Sequence, residues 1–411
     1  MRKQVYVFDE CISSQKNGIG SFLREFHYCM KQLNTDVCIL AFNANIKEFA
    51  VQRGKYGEIE RLLFPPFCVG EFTHNAEIII KFLRLYIRDS SDNLFFVNHS
   101  PCEKLVEIMK RNYPLSRLVF TIHDLGWTSI CMGDVDKYKL IIEKKKDIEK
   151  NVKSVLDFYV KEMKTYELVD RVVCLSQDTY DLLRTVYFLP TQKIFLIPNG
   201  FRGKKNDIEH YNKEELRKDL FISVDEKIIL YVGRPTKQKG MYALLNAFHS
   251  VLRKKCNIRL VVIGSDNSNR IENLINASSS FATHVSFLGL INKKELEKWY
   301  SVADIGVIPS YYEQCPYVGI EMMMHGLPVV ASDGFGIRNM FQDEVNALIA
   351  PIGKREDSEE FSCNLAKAID KLLSSEELRR ILGRNAQEIY RNYYSTEQMK
   401  KGYEALLSSI D

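Results

Sequence analysis

Closely spaced cysteine pairs are missing from this sequence, and so is any cysteine–histidine spacing that suits a metal. The ten cysteines, at 11, 29, 38, 68, 102, 131, 174, 256, 315 and 363, are scattered along 411 residues, which reads as reduced core residues rather than a disulfide framework or a zinc site. Long apolar runs are missing too, since no stretch reaches the ~18 consecutive apolar residues of a membrane span. The start, "MRKQVYVFDE", passes from basic to apolar, but Asp9 and Glu10 end the run well short of a signal peptide. A cytoplasmic location is the expectation, with peripheral membrane contact left open. Neither sign of charge prevails: 57 basic residues face 53 acidic ones, for a net charge of +4. The concentrated basic stripe that nucleic-acid binding asks for is absent.

What is there is an ordinary globular composition, 45% hydrophobic and 27% charged, in a chain longer than one core usually supports. Two domains of about 200 residues each follow. Strand-like runs "QVYVFD" (4–9), "VCILAF" (37–42), "NLFFVN" (93–98), "RLVFTI" (117–122), "RVVCLS" (171–176) and "KIFLIP" (193–198) alternate with amphipathic helices, the pattern of a parallel sheet covered on both faces. The polar passage 200–226 interrupts it. A second series, "KIILYVG" (227–233), "IRLVVIG" (258–264), "HVSFLG" (284–289), "DIGVIPS" (304–310), "LPVVAS" (327–332) and "NALIAP" (346–351), specifies a second doubly wound sheet. A final helix is expected at about 396–408. Ligands of such sheets bind at the carboxyl ends of strands, so the chemistry should follow strands.

Three stretches do so. "NGIGSFLREF" (17–26) opens a helix with Gly18 and Gly20, where a helix N-terminus and close backbone approach favour phosphate. Leu23 stands where a dinucleotide fingerprint needs its third glycine, which disfavours a nicotinamide cofactor. "YVGRPTKQKG" (231–240) sets Arg234 and Lys239 between a strand end and a helix start. A guanidinium fork and an ammonium suit a diphosphate, and a plain basic surface loop is the other reading. "YYEQCPYVGIEMMMHGLPVVAS" (311–332) carries Glu313 in a loop and Glu321 within an apolar helix. Pro316 is expected as the first helical residue, with the Tyr317 and Val318 N–H groups facing the crevice. A carboxylate on an apolar face needs a partner. An arginine or lysine of the core would serve, and so would a ligand rich in hydroxyls.

Arg234 and Lys239 after one strand, followed by E-x7-E after "DIGVIPS", resemble the family 4 retaining glycosyltransferases of the GT-B fold, two Rossmann-like domains facing across a cleft. The resemblance extends through "NGIGSF", "TIHDLGW" (121–127), "LSQDT" (175–179), "IPNGF" (197–201), "VSFLGLI" (285–291) and "HGLPVVASD". It implies an acceptor-side domain over 1–200, a nucleotide-sugar domain over 201–390, and a helix at 391–411 packing back on the first. Arg234 and Lys239 would hold the diphosphate, Glu321 the ribose hydroxyls and Glu313 the donor sugar. His123 would sit beside that sugar, Gly18 and Gly20 would close over the phosphates, and backbone at Leu290 and Ile291 would meet the base. Asn199 joins the donor-binding set. Where the family commonly has glycine three residues after the first glutamate, this chain has Pro316, one N–H fewer for the phosphates.

The implied activity is transfer of a hexose-type sugar from a nucleoside diphosphate, UDP by default, to an acceptor hydroxyl with retention and without a metal ion or cofactor. The acceptor could be a saccharide, a metabolite, a lipid-linked glycan or a peptide. A sugar-nucleotide epimerase or hydrolase, or a sugar-nucleotide binder without turnover, are the rivals. Asp134-x-Asp136 reads as a helix start rather than a metal pair, because it opens the lysine-rich helical segment 134–169 instead of ending a strand.

Overall fold

The computed structural model describes residues 3–9, 18–42, 44, 46–52, 60–65, 72–98, 103–144, 150–203, 212–265, 276 and 279–410. Two compact units emerge: Met1–Cys131 with Val135–Gly200 and Thr396–Asp411, and Met132–Asp134 with Phe201–Ser395. Loop 10–17, part of the polar passage (204–211) and the lysine-rich middle of the long helical segment (145–149) lie outside the described residues.

The first unit runs β1 (Gln4–Asp9), α1 (Gly18–Gln32), β2 (Asp36–Ala41), β3 (Ala50–Gln52), β4 (Glu60–Leu63), α2 (Phe72–Tyr86), β5 (Asn93–Val97), α3 (Glu103–Asn112), β6 (Arg117–Thr121), α4 (Gly126–Ile130), α5 (Val135–Lys144), α6 (Lys150–Leu168), β7 (Arg171–Cys174), α7 (Gln177–Thr185) and β8 (Ile194–Leu196). Its sheet has the order β3-β4-β2-β1-β5-β6-β7-β8. Every residue of β5 is buried, as a strand covered on both faces requires, and full burial of each of its Leu, Phe and Val side chains contributes about 1.5–3 kcal/mol.

One expectation needs correction here. The sheet is not wholly parallel, because β3 pairs antiparallel with β4, and both strands are too short and too polar ("AVQ", "ERLL") to leave a periodic signal. The helical segment 134–169 holds α5 and α6 on either side of residues 145–149.

The second unit runs α8 (Lys213–Asp219), β9 (Lys227–Val232), α9 (Met241–Leu252), β10 (Ile258–Ile263), β11 (Val285–Gly289), α10 (Lys293–Val302), β12 (Ile305–Ile308), α11 (Tyr317–Met324), β13 (Val329–Ser332), β14 (Leu348–Ala350), α12 (Ser358–Ser374) and α13 (Glu376–Ile389). The strand order β11-β10-β9-β12-β13-β14 is parallel throughout and reverses direction at β9, the topological switch point where such sheets bind ligands. The last helix, α14 (Thr396–Ser408), belongs to the first unit. There Thr396 donates its hydroxyl to Glu25 of α1 at 2.7 Å, and Tyr403 meets Phe26 edge to face at 4.9 Å.

Between β9 and α9 the chain turns through Gly240, whose φ of +71° is left-handed. A Cβ there would lie 1.9 Å from the Pro309 carbonyl oxygen, so the backbones after β9 and β12 touch where only glycine fits. Gly240→Ala should lower unfolding free energy by at least about 1–3 kcal/mol, measured by urea denaturation. A variant as stable as wild type would show that this approach carries no strain.

Candidate active site

The loop after β9 is ordered from within. The buried Tyr231 hydroxyl donates to the Arg234 carbonyl at 2.7 Å, and the Thr236 N–H returns to that carbonyl at 2.8 Å. The Arg234 side chain is left exposed and makes no ion pair among the described residues. Lys239 behaves differently: its Nζ lies 2.5 Å from Glu313 Oε1, with both side chains about four-fifths buried. Ser310 donates to the same carboxylate oxygen at 3.1 Å. Lys239 directly precedes Gly240, the N-cap of α9, so it stands where helix N–H groups favour an anion.

Glu313 is held by a partner loop that the sequence reading did not single out. Its N–H donates to the Phe335 carbonyl at 2.9 Å, and a Cβ at Gly336, where φ is +77°, would lie 2.0 Å from the Glu313 carbonyl oxygen. The signal was present in "SDGFG", glycines just past a strand end.

Pro316 is the N-cap of α11, not its first residue; its ψ of 126° is extended. The Gly319 and Ile320 N–H groups return to the Pro316 carbonyl, so those of Tyr317 and Val318 precede the helix ladder. One turn further on, Glu321 Oε2 accepts from the Tyr300 hydroxyl of α10 at 2.8 Å. The partner sought for Glu321 therefore includes a buried neutral hydroxyl. Tyr300 in turn stacks on His325, centroids 5.3 Å apart. Burial, and then the nearby Lys293 charge, push the His325 imidazole down to about 4.

Leu290 is exposed and Ile291 half-buried, just ahead of α10, whose N-cap Asn292 accepts the Glu295 N–H at 3.0 Å. Lys293 lies over the Phe201 ring at 4.4 Å, and Phe201 meets Tyr317 edge to face at 6.2 Å. The segment after β11 and the first turn of α11 are thus joined through Phe201. A depression of about 220 Å³ lined by Lys237, Gly240, Tyr242, Ala243, Tyr311 and Ser358 includes none of the candidate residues.

Four candidates belong to the first unit. Gly18 opens α1 and Gly20 is buried in its first turn. The half-buried His123 ring meets Phe22 edge to face at 4.5 Å. Asn199 is 5% exposed, and the Gly200 N–H beside it donates to Met399 Sδ of α14 at 3.2 Å. Of the acidic pair, Asp134 lies 3.8 Å from Arg355 and Asp136 falls in the first turn of α5. No helix of the described residues is long and apolar enough to cross a membrane.

Two Rossmann-like units, the second with cations after its first strand and glutamates flanking the start of α11, have the architecture of the GT-B glycosyltransferases. Residues 16–202 match the family described as Glycosyltransferase Family 4 and residues 212–389 that described as Glycosyl transferases group 1. The chain belongs to the family 4 glycosyltransferases. An uncharacterized glycosyltransferase of Methanocaldococcus jannaschii is 32% identical over 243 residues, 58% of this chain and 60% of that protein. The chain spans roughly half to three fifths of the length of the first curated relatives it matches. Among solved structures, sucrose-phosphate synthase from Thermosynechococcus elongatus superimposes with a TM-score of 0.77 at 20% identity, covering 100% of this chain and 99% of that one. Anabaena HepE in complex with UDP and glucose gives 0.69 at 16%, covering 99% and 100%. At these identities the likeness is one of fold.

Two outcomes follow from the Glu321 cluster. Glu321→Ala and Tyr300→Phe should each cost about 1–3 kcal/mol, and the double variant less than the sum, since one hydrogen bond is lost once; additive urea denaturation energies would deny the bond. His325 stays neutral in the folded protein down to about pH 4, whereas the unfolded chain takes its proton near the ordinary value of 6.5. Its contribution is therefore complete above pH 6.5 and is lost as pH falls toward 4. His325→Phe should lose about 2 kcal/mol less than wild type between pH 7 and pH 4.5, read from urea midpoints; parallel losses would place His325 in water.

Proposed function

We propose that the protein moves a hexose-type sugar from a UDP-sugar to an acceptor hydroxyl, with retention of anomeric configuration and without a metal ion. The observation that carries this reading is Arg234, an exposed guanidinium with no acidic partner among the described residues, five positions before Lys239 at the N-terminus of α9. A fork of donors, a point charge and a helix N-terminus together suit a diphosphate. As the sugar leaves, charge develops on that diphosphate, and preorganised donors stabilise it where it forms. UDP is favoured because HepE, a protein of like fold, was solved with UDP and glucose.

Glu313 then turns to the sugar and Glu321 accepts from the ribose hydroxyls. In the first unit taken by itself, His123 is the candidate for a sugar contact and the Gly18–Gly20 start of α1 the candidate for a phosphate contact. The acceptor attacks from the face the diphosphate leaves, and the leaving phosphate oxygen takes the acceptor's proton. That route asks for no protein nucleophile.

Nucleotide release and thermal shift across a set of sugar nucleotides, in EDTA and with manganese, test the reading. Turnover with a UDP-sugar should persist in EDTA, and Arg234→Ala should weaken UDP binding by about 1.5–3 kcal/mol, the worth of hydrogen bonds to a charged group. Activity that returns only with manganese would overturn metal independence. Unchanged UDP affinity in Arg234→Ala would remove the diphosphate site.

A further inference from the structure

Helix α4 begins at a residue whose own side chain cannot cap it. Its N-cap is Leu125, at φ −120° and ψ 129° and without a side-chain hydrogen bond, although the first N–H groups of a helix need acceptors. The acceptor comes from α6. Glu162 is fully buried, and its Oε1 takes the Gly126 N–H at 3.0 Å. Its other oxygen accepts from the Tyr187 hydroxyl, which lies 2.8 Å from the Tyr138 hydroxyl of α5. Tyr138 stacks on Trp127 of α4, centroids 4.5 Å apart and planes within 14°. The two helices approach so closely that a Cβ on Gly126 would fall 2.3 Å from the Phe158 ring, one turn before Glu162 on α6.

Immediately upstream of this anchor lie the residues of the sugar-site reading. Asp124 Oδ1 accepts the Leu125 N–H at 2.9 Å and the Thr128 hydroxyl at 3.1 Å, so the turn from His123 to Gly126 is tied to α4. The His123 ring is placed against Phe22 at one end, and the backbone that carries it is fixed at the other by a carboxylate from α6.

We propose that Glu162 is a positioning residue for His123, and that α5 and α6, the helical segment with no counterpart in a minimal α/β unit, serve to deliver that carboxylate beneath the turn following β6. The proposal rests on the reading of His123 as a sugar-site residue. What the position demands is an oxygen at the reach of a glutamate, more than a negative charge. Burial supports this: it pushes the Glu162 carboxyl up to about 7, and the titratable groups facing it, Tyr187, Tyr138, Tyr166 and Asp124, supply no cation to hold it ionised. Both protonation states keep an acceptor for Gly126.

Glu162→Gln and Glu162→Asp separate reach from charge. Glutamine keeps an oxygen at the same distance, whereas aspartate keeps the charge one methylene short. The His123 ring signal in a proton–carbon NMR spectrum, assigned by its loss in His123→Ala, should stay in place in Glu162→Gln and shift or broaden in Glu162→Asp. UDP release from UDP-glucose should fall within threefold of wild type for Gln and drop at least tenfold for Asp, with the Kd for UDP within twofold. The double variant His123→Ala with Glu162→Asp should be no slower than His123→Ala by more than twofold. An unmoved His123 signal in Glu162→Asp, or a double variant in which the two losses multiply, overturns the proposal. So does the opposite order, with aspartate active and glutamine impaired. If His123→Ala itself turns over like wild type, the sugar-site reading fails first and the positioning role with it, an outcome distinct from the others because Glu162 then plays no part in it.

Discussion

An ammonium and a carboxylate 2.5 Å apart, Lys239 and Glu313, tie together the loops that follow β9 and β12, and the rest of the second unit's site is arranged around that contact. The two strands are sheet neighbours on either side of the topological switch, so their crossovers leave in different directions and open a space at their carboxyl ends. Closing that space to ion-pair distance requires backbones to touch, and they do so at Gly240, while the loop after β13 packs on Glu313 at Gly336; at both glycines a Cβ would overlap a carbonyl oxygen. The glycines set how near the loops come, and the ion pair and the Ser310 hydroxyl set which way the Glu313 carboxylate faces. Arg234, five positions before Lys239 and held by its own carbonyl through Tyr231, is left outside this pair with its side chain exposed.

Much of this was legible in the sequence because it is written in residue types with narrow uses. Glycine beside a strand end, cations before a helix start and a proline at a helix entrance each have few structural readings, and all twelve longer strand runs carried the apolar signature of covered strands. What was not legible involves contacts between residues that say little about themselves. The edge strand β3 is held by register with β4, and β4 by register with β2, not by pattern. Pro316 is compatible with either the N-cap or the first helical position, and its extended ψ, which sequence does not reveal, decides between them. The Tyr300 hydroxyl reaches Glu321 across 21 positions and two helices, and nothing in "KWYSV" distinguishes that tyrosine from any core aromatic. Glu162 is hidden still better, in a stretch whose lysines draw attention to the solvent face while its one fully buried carboxylate lies on the other.

Glu313 and Glu321 sit on one short segment yet differ in what opposes them. Glu313 faces a cation, so its charge is compensated within the protein, and a ligand that draws Lys239 toward phosphate weakens that compensation at the moment it supplies hydroxyls to replace it. Glu321 has a neutral hydroxyl, that of Tyr300, among its partners, which satisfies a lone pair without cancelling charge. His325, stacked on Tyr300, is kept neutral by burial and then by the nearby Lys293 charge, so it adds no imidazolium to this cluster above about pH 4.

The proposed donor chemistry therefore turns on exchange rather than on new charge. The second unit holds Lys239 against Glu313; a diphosphate at the start of α9 would set phosphate oxygens and Glu313 in competition for one ammonium, while Arg234 has no ion-pair partner to surrender among the described residues. Arg234 would then supply affinity and Lys239 would supply the coupling, because only Lys239 must leave a carboxylate to reach phosphate, and the carboxylate it leaves is the one proposed to face the sugar. In that arrangement the sugar contact becomes available as a consequence of diphosphate binding, so a nucleotide lacking its sugar still pulls Lys239 away and strands Glu313, whereas the complete donor returns hydroxyls to it. Discrimination between the two follows from the cost of an uncompensated, largely buried carboxylate, not from any separate recognition element.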